Sequence, residues 1–318
     1  MGFSRIISRA VMASSIAALI PLYAFGGGGI SRDGQDVSFM YDNGKFVSLS
    51  LKQVTPKITG SSYTPLGAPT AISTSASPAY SVYSVNYRQD AGEKTGLGLQ
   101  IRTPIGADLA YPAGSILSGT TVDYDSQAVS ILGSYDQNRN LRFIGGFTSQ
   151  SQNAEVSVPF QEYSAVAEKD SGMGFIAGAA YSIPEIAFRV SATYFSEITS
   201  EHPTLEAGIV PSTTTIKAPS GLNIDLRSGI MADTVAFASV VTQNWDGFVL
   251  DPPAWRAGAG SALYDPADKT TYMIGIGRKF TDTLAGSISY GLSEETDGTA
   301  TALAPVDGSQ DITVGLRY

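Results

Sequence analysis

The sequence predicts an all-β fold class: a transmembrane, antiparallel, up-and-down β-barrel. Apolar and polar residues alternate along many segments; Val47, Leu49 and Leu51, for example, interleave with serine and lysine. Such alternation gives a strand one apolar face and one polar face. The segments are about 10 to 16 residues long, whereas strands of soluble proteins usually have about 5 or 6 residues. Strands of about 10 residues are what a bilayer-spanning barrel requires.

The composition agrees with a chain that has two opposed surfaces. Only 15% of its 318 residues are charged, against about 25% in a soluble domain, and the mean hydropathy is +0.04. The sequence has no cysteine, which excludes a disulfide scaffold, a cysteine metal site and a thiol enzyme. A net charge of −9 disfavours nucleic acid as a partner, because phosphate binding needs the opposite sign.

The N-terminus has the layout of a secretory signal peptide. Arg5 and Arg9 form a short basic region, residues 10–20 are apolar, and residues 21–24 suit a cleavage site after Ala24. The apolar run is too short for a membrane anchor, which needs about 20 residues. We therefore predict a signal peptide at residues 1–24, a hatch segment at 25–44 and a barrel at 45–318.

Twelve segments carry the strand pattern, and the connections between them alternate in length. The segments are 45–56, 79–90, 95–107, 121–136, 140–151, 172–183, 186–200, 213–229, 234–247, 270–280, 284–295 and 309–318. Short turns follow every second segment, and long polar stretches such as 61–78, 152–170 and 250–269 follow the others. This pattern is typical of outer-membrane barrels and predicts that both termini are periplasmic.

Tyrosines near the predicted strand ends suit an aromatic girdle. They are Tyr80, Tyr87, Tyr111, Tyr135, Tyr181, Tyr194, Tyr272, Tyr290 and Tyr318. The alternative is a secreted β-sandwich, but its strands would be shorter and its surface more charged.

The sequence offers weak candidates for catalysis or metal binding. His202, the single histidine, falls in a predicted long loop, where we expect it to be exposed and without a partner spaced to orient it. Acidic pairs such as Glu294 with Glu295 and Asp123 with Asp125 fall at strand ends, where they keep loops solvated, and they lack the calcium-loop spacing. We predict no catalytic residue, no metal site and no cofactor.

The arginines on the polar faces of strands are more informative. An arginine that faces lipid at mid-depth costs about 2–4 kcal/mol, so these side chains should face the lumen. They are Arg102, Arg142, Arg189, Arg227 and Arg317. One interpretation is a ladder of ion pairs with residues such as Asp225 and Asp125, which is the interpretation we favour. The other is a set of forks for anionic ligands such as carboxylates.

Phe39 belongs to a segment before the first strand that is either a disordered leader or a lumen plug, for which a wide barrel has room. From their facing alone, the predicted lumen-site residues are Phe39, Arg102, Arg142, Arg189 and Arg227.

Several short motifs, in order along the chain, resemble the outer-membrane fatty-acid and hydrocarbon transporter family of the FadL/TodX type, and most closely its compact alphaproteobacterial members. They are residues 29–35 (GISRDGQ), 103–108 (TPIGAD), 183–189 (IPEIAFR), 217–220 (KAPS), 245–248 (WDGF), 272–280 (YMIGIGRKF) and 303–305 (LAP). Each motif is weak, and their order and spacing carry the resemblance.

The resemblance implies a fourteen-stranded barrel with an N-terminal hatch, no cofactor and no energy source. It implies that extracellular loops capture a hydrophobic molecule, long-chain fatty acids by default, which reaches a lumen site and leaves sideways through a kinked strand. The expected partners are outer-membrane lipid, lipopolysaccharide and the outer-membrane assembly machinery, whose C-terminal signal the Ile312 to Tyr318 alternation resembles, and the expected state is a monomer.

The chain departs from the family pattern twice. The hatch lacks an Asn-Pro-Ala segment, and twelve strands are predicted where the family has fourteen. Either a hairpin is missing or the barrel closes with twelve strands. The rival functions are a general porin, an outer-membrane lipid hydrolase and an adhesive barrel.

Overall fold

A computed structural model describes residues 30–63, 69–72, 74–245, 248, 250–295, 303 and 308–318. The predicted signal peptide lies outside these residues. No helix in the described part of the chain is long and apolar enough to cross a membrane.

Fifteen of the described strands form one large antiparallel sheet, and its main path has twelve strands, each paired with the next. The path agrees with the predicted twelve segments, but the sheet contains three strands more. In order, the path is β1 (Phe46–Val54), β4 (Tyr80–Asp90), β5 (Thr95–Arg102), β7 (Thr121–Asp136), β8 (Leu141–Val158), β9 (Tyr163–Ile183), β10 (Phe188–Phe195), β13 (Ser220–Met231), β14 (Thr234–Asn244), β15 (Lys269–Lys279), β16 (Ala285–Ser293) and β17 (Ser309–Arg317). The sheet wraps around the hatch segment as a β-barrel. In the described chain, the hatch segment is residues 30–44.

Five further strands lie off this path. They are β2 (Gly60–Tyr63) and β3 (Pro69–Ile72), which pair with each other, β6 (Gly106–Ala110) against β7, and the hairpin of β11 (Ile198–Glu206) and β12 (Val210–Ala218). One short helix, α1 (Pro253–Ala259), lies in the connection between β14 and β15.

The two longest strands, β8 and β9, continue beyond the lipid-facing band. The prediction that 152–170 is a loop is therefore wrong. Most of this stretch belongs to β8 and β9, which pair with each other as far as Val158 and Tyr163. The extension is possible because most outward side chains there, such as Glu155 and Glu168, are polar and suit water instead of lipid.

The polarity of the two faces reverses along β7. Nearer the short turns, Val129 and Ile131 point outward and Ser130 points inward, as in a lipid-embedded barrel. Nearer the long loops, Asp123 points outward and Tyr124 inward, as in a water-soluble barrel. The apolar outward face of β7 is thus confined to its short-turn half.

Three predicted strands are each divided in two. Segment 95–107 breaks at Thr103 and Pro104 between β5 and β6, and segment 213–229 breaks at Pro219 between β12 and β13. Proline has no backbone N–H to donate to a ladder, which explains these two breaks. Segment 186–200 breaks between Phe195 and Ile198, where the Ser196 hydroxyl replaces a ladder partner and accepts from the Phe175 amide at 2.9 Å.

β1 and β17 are the two ends of the path, and no pairing joins them among the described residues. Outward leucines on these two strands are largely exposed: Leu49 and Leu316 are each 78% exposed. Unpaired edges carry free backbone donors and acceptors, which hydrocarbon does not tolerate.

Tyrosine placement agrees with an aromatic girdle at some of the predicted positions and not at others. Outward-facing and half-exposed are Tyr135, Tyr181, Tyr194, Tyr272 and Tyr290. Tyr111 is buried, and the guanidinium carbon of Arg32 lies 3.3 Å from the centroid of the Tyr80 ring. These two tyrosines therefore pack within the protein and are not part of a girdle.

Candidate functional site: a hatch that fills the lumen

The hatch segment runs down the inside of the barrel and is held by polar side chains of the wall. Gln100 donates to the backbone oxygen of Asp36 at 2.8 Å, and Gln35 donates to the backbone oxygen of Pro219 at 2.8 Å. Tyr41 hydrogen-bonds the hydroxyl of Thr193 at 2.8 Å. Because these contacts come from well-separated strands, the hatch crosses the lumen and does not lie along one wall.

Small residues in the wall make room for the hatch. A Cβ atom added at Gly98 would overlap the thioether of Met40, one added at Gly178 would overlap the hydroxyl of Tyr41, and one added at Gly221 would overlap the amide of Gln35. Met40, at 0% exposed, packs with Val37, Phe39 and Tyr41 against Leu132, Ile144, Ile176 and Phe195. The fit shows that the segment is a plug and not a disordered leader.

Arginines clamp the lower end of the hatch, close to the short turns. Arg189 and Arg227 both donate to the Asp42 carboxylate, at 2.9 and 3.3 Å, and Arg142 donates to the Asp42 backbone oxygen. Arg142 also pairs with Asp136 at 2.6 Å. These arginines therefore face the lumen as predicted, but their partners include the hatch itself.

The same end of the hatch is fastened to β4. Arg88 donates to the Gly44 backbone oxygen at 2.6 Å and pairs with Asp90 at 2.7 Å. The Asp90 carboxylate in turn accepts from the Gly44 amide at 2.9 Å.

Asp125, expected to pair with lumen arginines, is exposed on the outward face of β7, so this part of the prediction is wrong. The reversal of polarity along β7 is the reason, because Asp125 lies in the half that meets water outside.

The upper end of the hatch fills the break in the wall after β5. Ser31 and Ile105 form an isolated antiparallel β-bridge. The Arg32 amide donates to the Pro104 backbone oxygen at 2.9 Å, and the Gly106 amide donates to the Ile30 backbone oxygen at 2.8 Å. The Arg32 guanidinium pairs with Asp108 at 2.6 Å. Hatch residues 30–32 thus pair with wall residues 104–106, at the break between β5 and β6.

An apolar cluster lies above the hatch, inside the long-loop half of the barrel. Its aromatic members pack edge to face: Phe248 lies 5.9 Å from Tyr124, 5.3 Å from Trp245 and 6.2 Å from Tyr264 between ring centroids. Aliphatic members include Ile30 of the hatch and, from the wall, Ile105, Leu109, Val122, Val156, Ile198 and Ile216. The sequence did not reveal this cluster, because its residues come from strands and loops far apart in the chain.

A cavity of about 20 Å³, enough for about one water molecule, lies where this cluster meets the hatch. Arg102, Gln35 and Gln150 line it together with apolar residues such as Ile105 and Phe195. Arg102 donates to the Gly34 backbone oxygen, but its Nε atom is buried without a partner. A buried guanidinium in an incomplete set of hydrogen bonds is a ready receptor for an anion.

His202 is not exposed, contrary to the prediction. It lies in β11 at 0% exposed, and its Nδ1 contacts the Glu168 backbone oxygen at 2.7 Å while its Nε2 contacts the Ser200 hydroxyl at 2.8 Å. A carbonyl only accepts, so this network assigns the proton to Nδ1. Gln152 donates to Ser200 at 2.6 Å and extends the network to Tyr124. The prediction failed because the β9 and β11 strands extend above the lipid band and enclose the ring.

Glu206 joins the β11–β12 hairpin to the loop helix α1. Its carboxylate accepts from the hydroxyls of Tyr163 and Ser212, at 2.8 and 2.7 Å, and from the Ala254 and Trp255 amides, each at 3.0 Å. Burial acts to raise the pKa of this carboxyl, but the hydrogen bonds outweigh it and the pKa is lowered. No group of three or more potential metal ligands occurs in the described part of the chain.

All five predicted lumen residues face the interior, and a direct role in binding a ligand stays a prediction. Phe39 stacks on Phe46 with ring centroids 6.3 Å apart within the hatch packing. Sequence reasoning missed Arg32 and Asp42, the residues that hold the two ends of the hatch. Their only sequence signal is a charge in a short segment between a signal peptide and the first strand.

These features define a plugged membrane β-barrel. No family model matches the sequence, and no curated protein is significantly similar to it. The fold is shared with solved structures. A FadL homologue from Pseudomonas aeruginosa is 12% identical, with a TM-score of 0.64, over 95% of this chain and 83% of its own.

Two toluene transporters have the same fold. TbuX from Ralstonia pickettii is 13% identical, with a TM-score of 0.60, over 86% of this chain and 80% of its own. TodX from Pseudomonas putida is 13% identical, with a TM-score of 0.56, over 93% of this chain and 89% of its own. Identities this low establish the fold alone.

Proposed function

We propose that the protein is an outer-membrane channel for the passive uptake of hydrophobic compounds. The observation that carries the proposal is the apolar cluster enclosed above a seated hatch, because it gives hydrophobic molecules an apolar surface inside the barrel. The fold, shared with toluene transporters and a FadL homologue, agrees with it. The protein then acts without catalysis or cofactor, as a monomer surrounded by outer-membrane lipid and lipopolysaccharide.

The chain's own residues suggest a route. A molecule captured by the long loops enters the cluster around Phe248, and the cavity beside Arg102 lies directly below it. Withdrawal of residues 30–32 would uncover the break between β5 and β6, at the level where the outward face of β5 is apolar. The ligand would leave sideways there, into the membrane.

Long-chain fatty acids are the ligands we favour over aromatic hydrocarbons. The support is Arg102, whose unpartnered Nε lies beside apolar side chains, so that a carboxylate would meet the guanidinium while its tail stays in the cluster. An aromatic hydrocarbon offers this charge only the face of its ring, a weaker partner than a carboxylate.

The test is uptake of radiolabelled oleate and of radiolabelled toluene by cells that lack their own transporter, with and without this protein. We expect uptake of both, and the variant Arg102→Leu should reduce oleate uptake about tenfold, a loss of about 1.4 kcal/mol of binding, without affecting toluene. Absence of uptake of both compounds would contradict the proposal. Equal effects of Arg102→Leu on the uptake of oleate and of toluene would contradict the preference for acids.

Planar-bilayer recording separates this function from a general porin. The hatch fills the lumen among the described residues, so we expect little ohmic conductance from the wild-type protein. Large, steady conductance would favour the porin. An adhesive barrel would bind surfaces and show no uptake.

Export by a cleaved signal peptide at residues 1–24 and insertion by the outer-membrane assembly machinery are parts of the same proposal. Mass spectrometry of the mature N-terminus in isolated outer membranes tests the cleavage.

A further inference from the structure

The barrel wall has a second interruption, between β9 and β11. β10 pairs with β9 as far up as Ile176, and β11 pairs with β9 only at residues 165–167. Over residues 168–175, β9 therefore has no strand partner on this side among the described residues, although residues 170–175 pair with β8 on the other side. We call this interruption the seam.

Side-chain hydrogen bonds cross the seam where a ladder is missing. They join the Ser196 hydroxyl to the Phe175 amide at 2.9 Å, the Asp170 carboxylate to the Glu201 amide at 3.1 Å, and His202 Nδ1 to the Glu168 backbone oxygen at 2.7 Å. These contacts are sparser than the bonds of a ladder of the same length, so local opening costs less at the seam than along a continuous ladder.

The first residues of β11 lie against the lumen side of β9 and not edge to edge with it. A Cβ atom added at Gly172 would overlap the Thr199 backbone oxygen, and one added at Gly174 would overlap the side chains of Ser196 and Ile198. Glycine permits such a close approach of a second backbone. The two strands therefore overlap at the seam where they do not pair.

The cavity beside Arg102 reaches the seam. Its lining includes Gly174, Phe175, Ser196 and Ile198. Phe175 belongs to the outward face of β9 and is 48% exposed, so the cavity extends as far as the wall itself.

The lower end of the seam coincides with the upper edge of the lipid-facing band. Below it, Phe175 and Tyr194 face outward with their ring centroids 5.8 Å apart. Above it, Glu197 and Lys217 form a half-exposed ion pair at 3.4 Å. An opening at this level would meet the hydrocarbon of the membrane close to its head groups.

The hatch covers the seam less firmly than it covers the β5–β6 break. Residues 30–32 pair by backbone with residues 104–106 at that break. On the side of the seam, Gln35 borders the cavity and donates from its side chain to the backbone oxygen of Pro219 at 2.8 Å, and its Oε1 is buried without a partner. A path from the cavity to the seam therefore leaves the backbone pairs of the hatch intact.

We propose that the seam is a second lateral exit, separate from the β5–β6 break, through which a hydrophobic ligand passes from the cavity into the outer leaflet while the hatch stays seated. The inference rests on the proposed function and adds a route to it. Opening of the seam breaks the contacts of Ser196, Asp170 and His202 and none of the backbone pairs of the hatch.

A disulfide across the seam tests the exit, because the chain contains no cysteine of its own. The Ser196 amide donates to the Phe175 backbone oxygen at 3.0 Å, so Phe175→Cys with Ser196→Cys places two thiols within reach of each other. Thr271→Cys with Ser293→Cys is the matched control, because these residues are paired in the continuous ladder of β15 and β16.

Uptake of radiolabelled oleate by cells is measured with each pair oxidised and then reduced. We expect the seam disulfide to lower uptake about tenfold, equivalent to about 1.4 kcal/mol, and reduction to restore it. The control disulfide should have no effect. An oxidised seam that transports as well as the oxidised control would overturn the inference and leave the proposed function in place.

A second pair tests whether the hatch stays seated. Asp33 of the hatch pairs with Lys52 of β1 at 2.6 Å, so Asp33→Cys with Lys52→Cys allows a short thiol cross-linker such as dibromobimane to fix the hatch to the wall. Uptake should be similar with and without the cross-link. Loss of uptake on cross-linking would show that the ligand leaves only when the hatch moves, against the inference.

Labelling from the membrane tests the seam without relying on uptake or on a disulfide. Ile198 at the seam and Leu109 on β6 are each 7% exposed and belong to the same apolar cluster. In proteoliposomes, pyrene-maleimide dissolved in the bilayer should label Ile198→Cys about tenfold faster than Leu109→Cys, equivalent to about 1.4 kcal/mol. Equal rates would overturn the inference. Faster labelling of Ile198→Cys in a protein that takes up no oleate would keep the opening and contradict the transport function.

Discussion

At the scale of single residues, Glu206 gives a measurable dependence on pH. Because hydrogen bonds lower its pKa in the folded protein, its stabilising effect is complete above the ordinary glutamate value of about 4.3 and is lost as the pH falls through the lower folded value. We expect Trp255, which packs on Tyr163 at 4.8 Å, to change its fluorescence as the pH is lowered from about 6 to about 3. The measurement uses a Trp245→Phe background, which leaves Trp255 as the single tryptophan.

Glu206→Gln is the matched variant for this prediction. It removes the titrating charge and keeps the shape, so the fluorescence should no longer respond to acid, and α1 should be less stable by about 2 kcal/mol. An unchanged acid response in the variant would show that another group controls the loop helix.

Ser200 and His202 also belong to the residue scale. Both lie in a buried network, so Ser200→Ala should lower the unfolding temperature, since the lost donor costs about 1–3 kcal/mol, and leave uptake unchanged. Thermal unfolding and oleate uptake are the two measurements. Any ester hydrolysis by the parent protein that this variant abolishes would instead support the lipid hydrolase.

At the scale of elements, the hatch depends on glycines in the wall. Gly98→Leu places a side chain where Met40 now lies, so we expect the hatch to be displaced and planar-bilayer conductance to rise, while the lipid-facing surface stays the same. Gly133→Leu is the control, because Gly133 faces outward and a Cβ there would approach only the Gly145 backbone oxygen, at 3.8 Å. Closed channels in both variants would mean that the hatch is not seated against β5.

The elements also show how far periodicity can be used. Alternation correctly predicted β1, β7 and β14, because in each the inward side chains are less exposed than their outward neighbours. It placed 152–170 and His202 in loops, because a strand above the lipid band exchanges its apolar outward face for a polar one. Alternation therefore predicted the lipid-facing part of β8 and β9 but missed their continuation above the lipid band.

At the scale of the whole molecule, the sheet ends at β1 and β17. Backbone amides of these strands that point away from β4 and β16 have no ladder partner among the described residues. Measured by hydrogen exchange in detergent micelles, they should exchange much faster than the amides of β8, which is paired on both sides. Equal protection of β1, β17 and β8 would show that the barrel closes.

The sequence by itself determined the fold class, the twelve-strand path and the lumen facing of Arg102, Arg142, Arg189 and Arg227, because each follows from local alternation and from the cost of placing a charge in lipid. Only the tertiary structure decided which groups meet: Asp42 with Arg189 and Arg227, Arg32 with the break after β5, and Phe248 with Tyr124. These partners lie far apart in the chain, and their contacts depend on how the sheet curves around the hatch. A periodic pattern predicts which face of the strand each side chain occupies, but it does not predict which residue lies opposite it across the lumen.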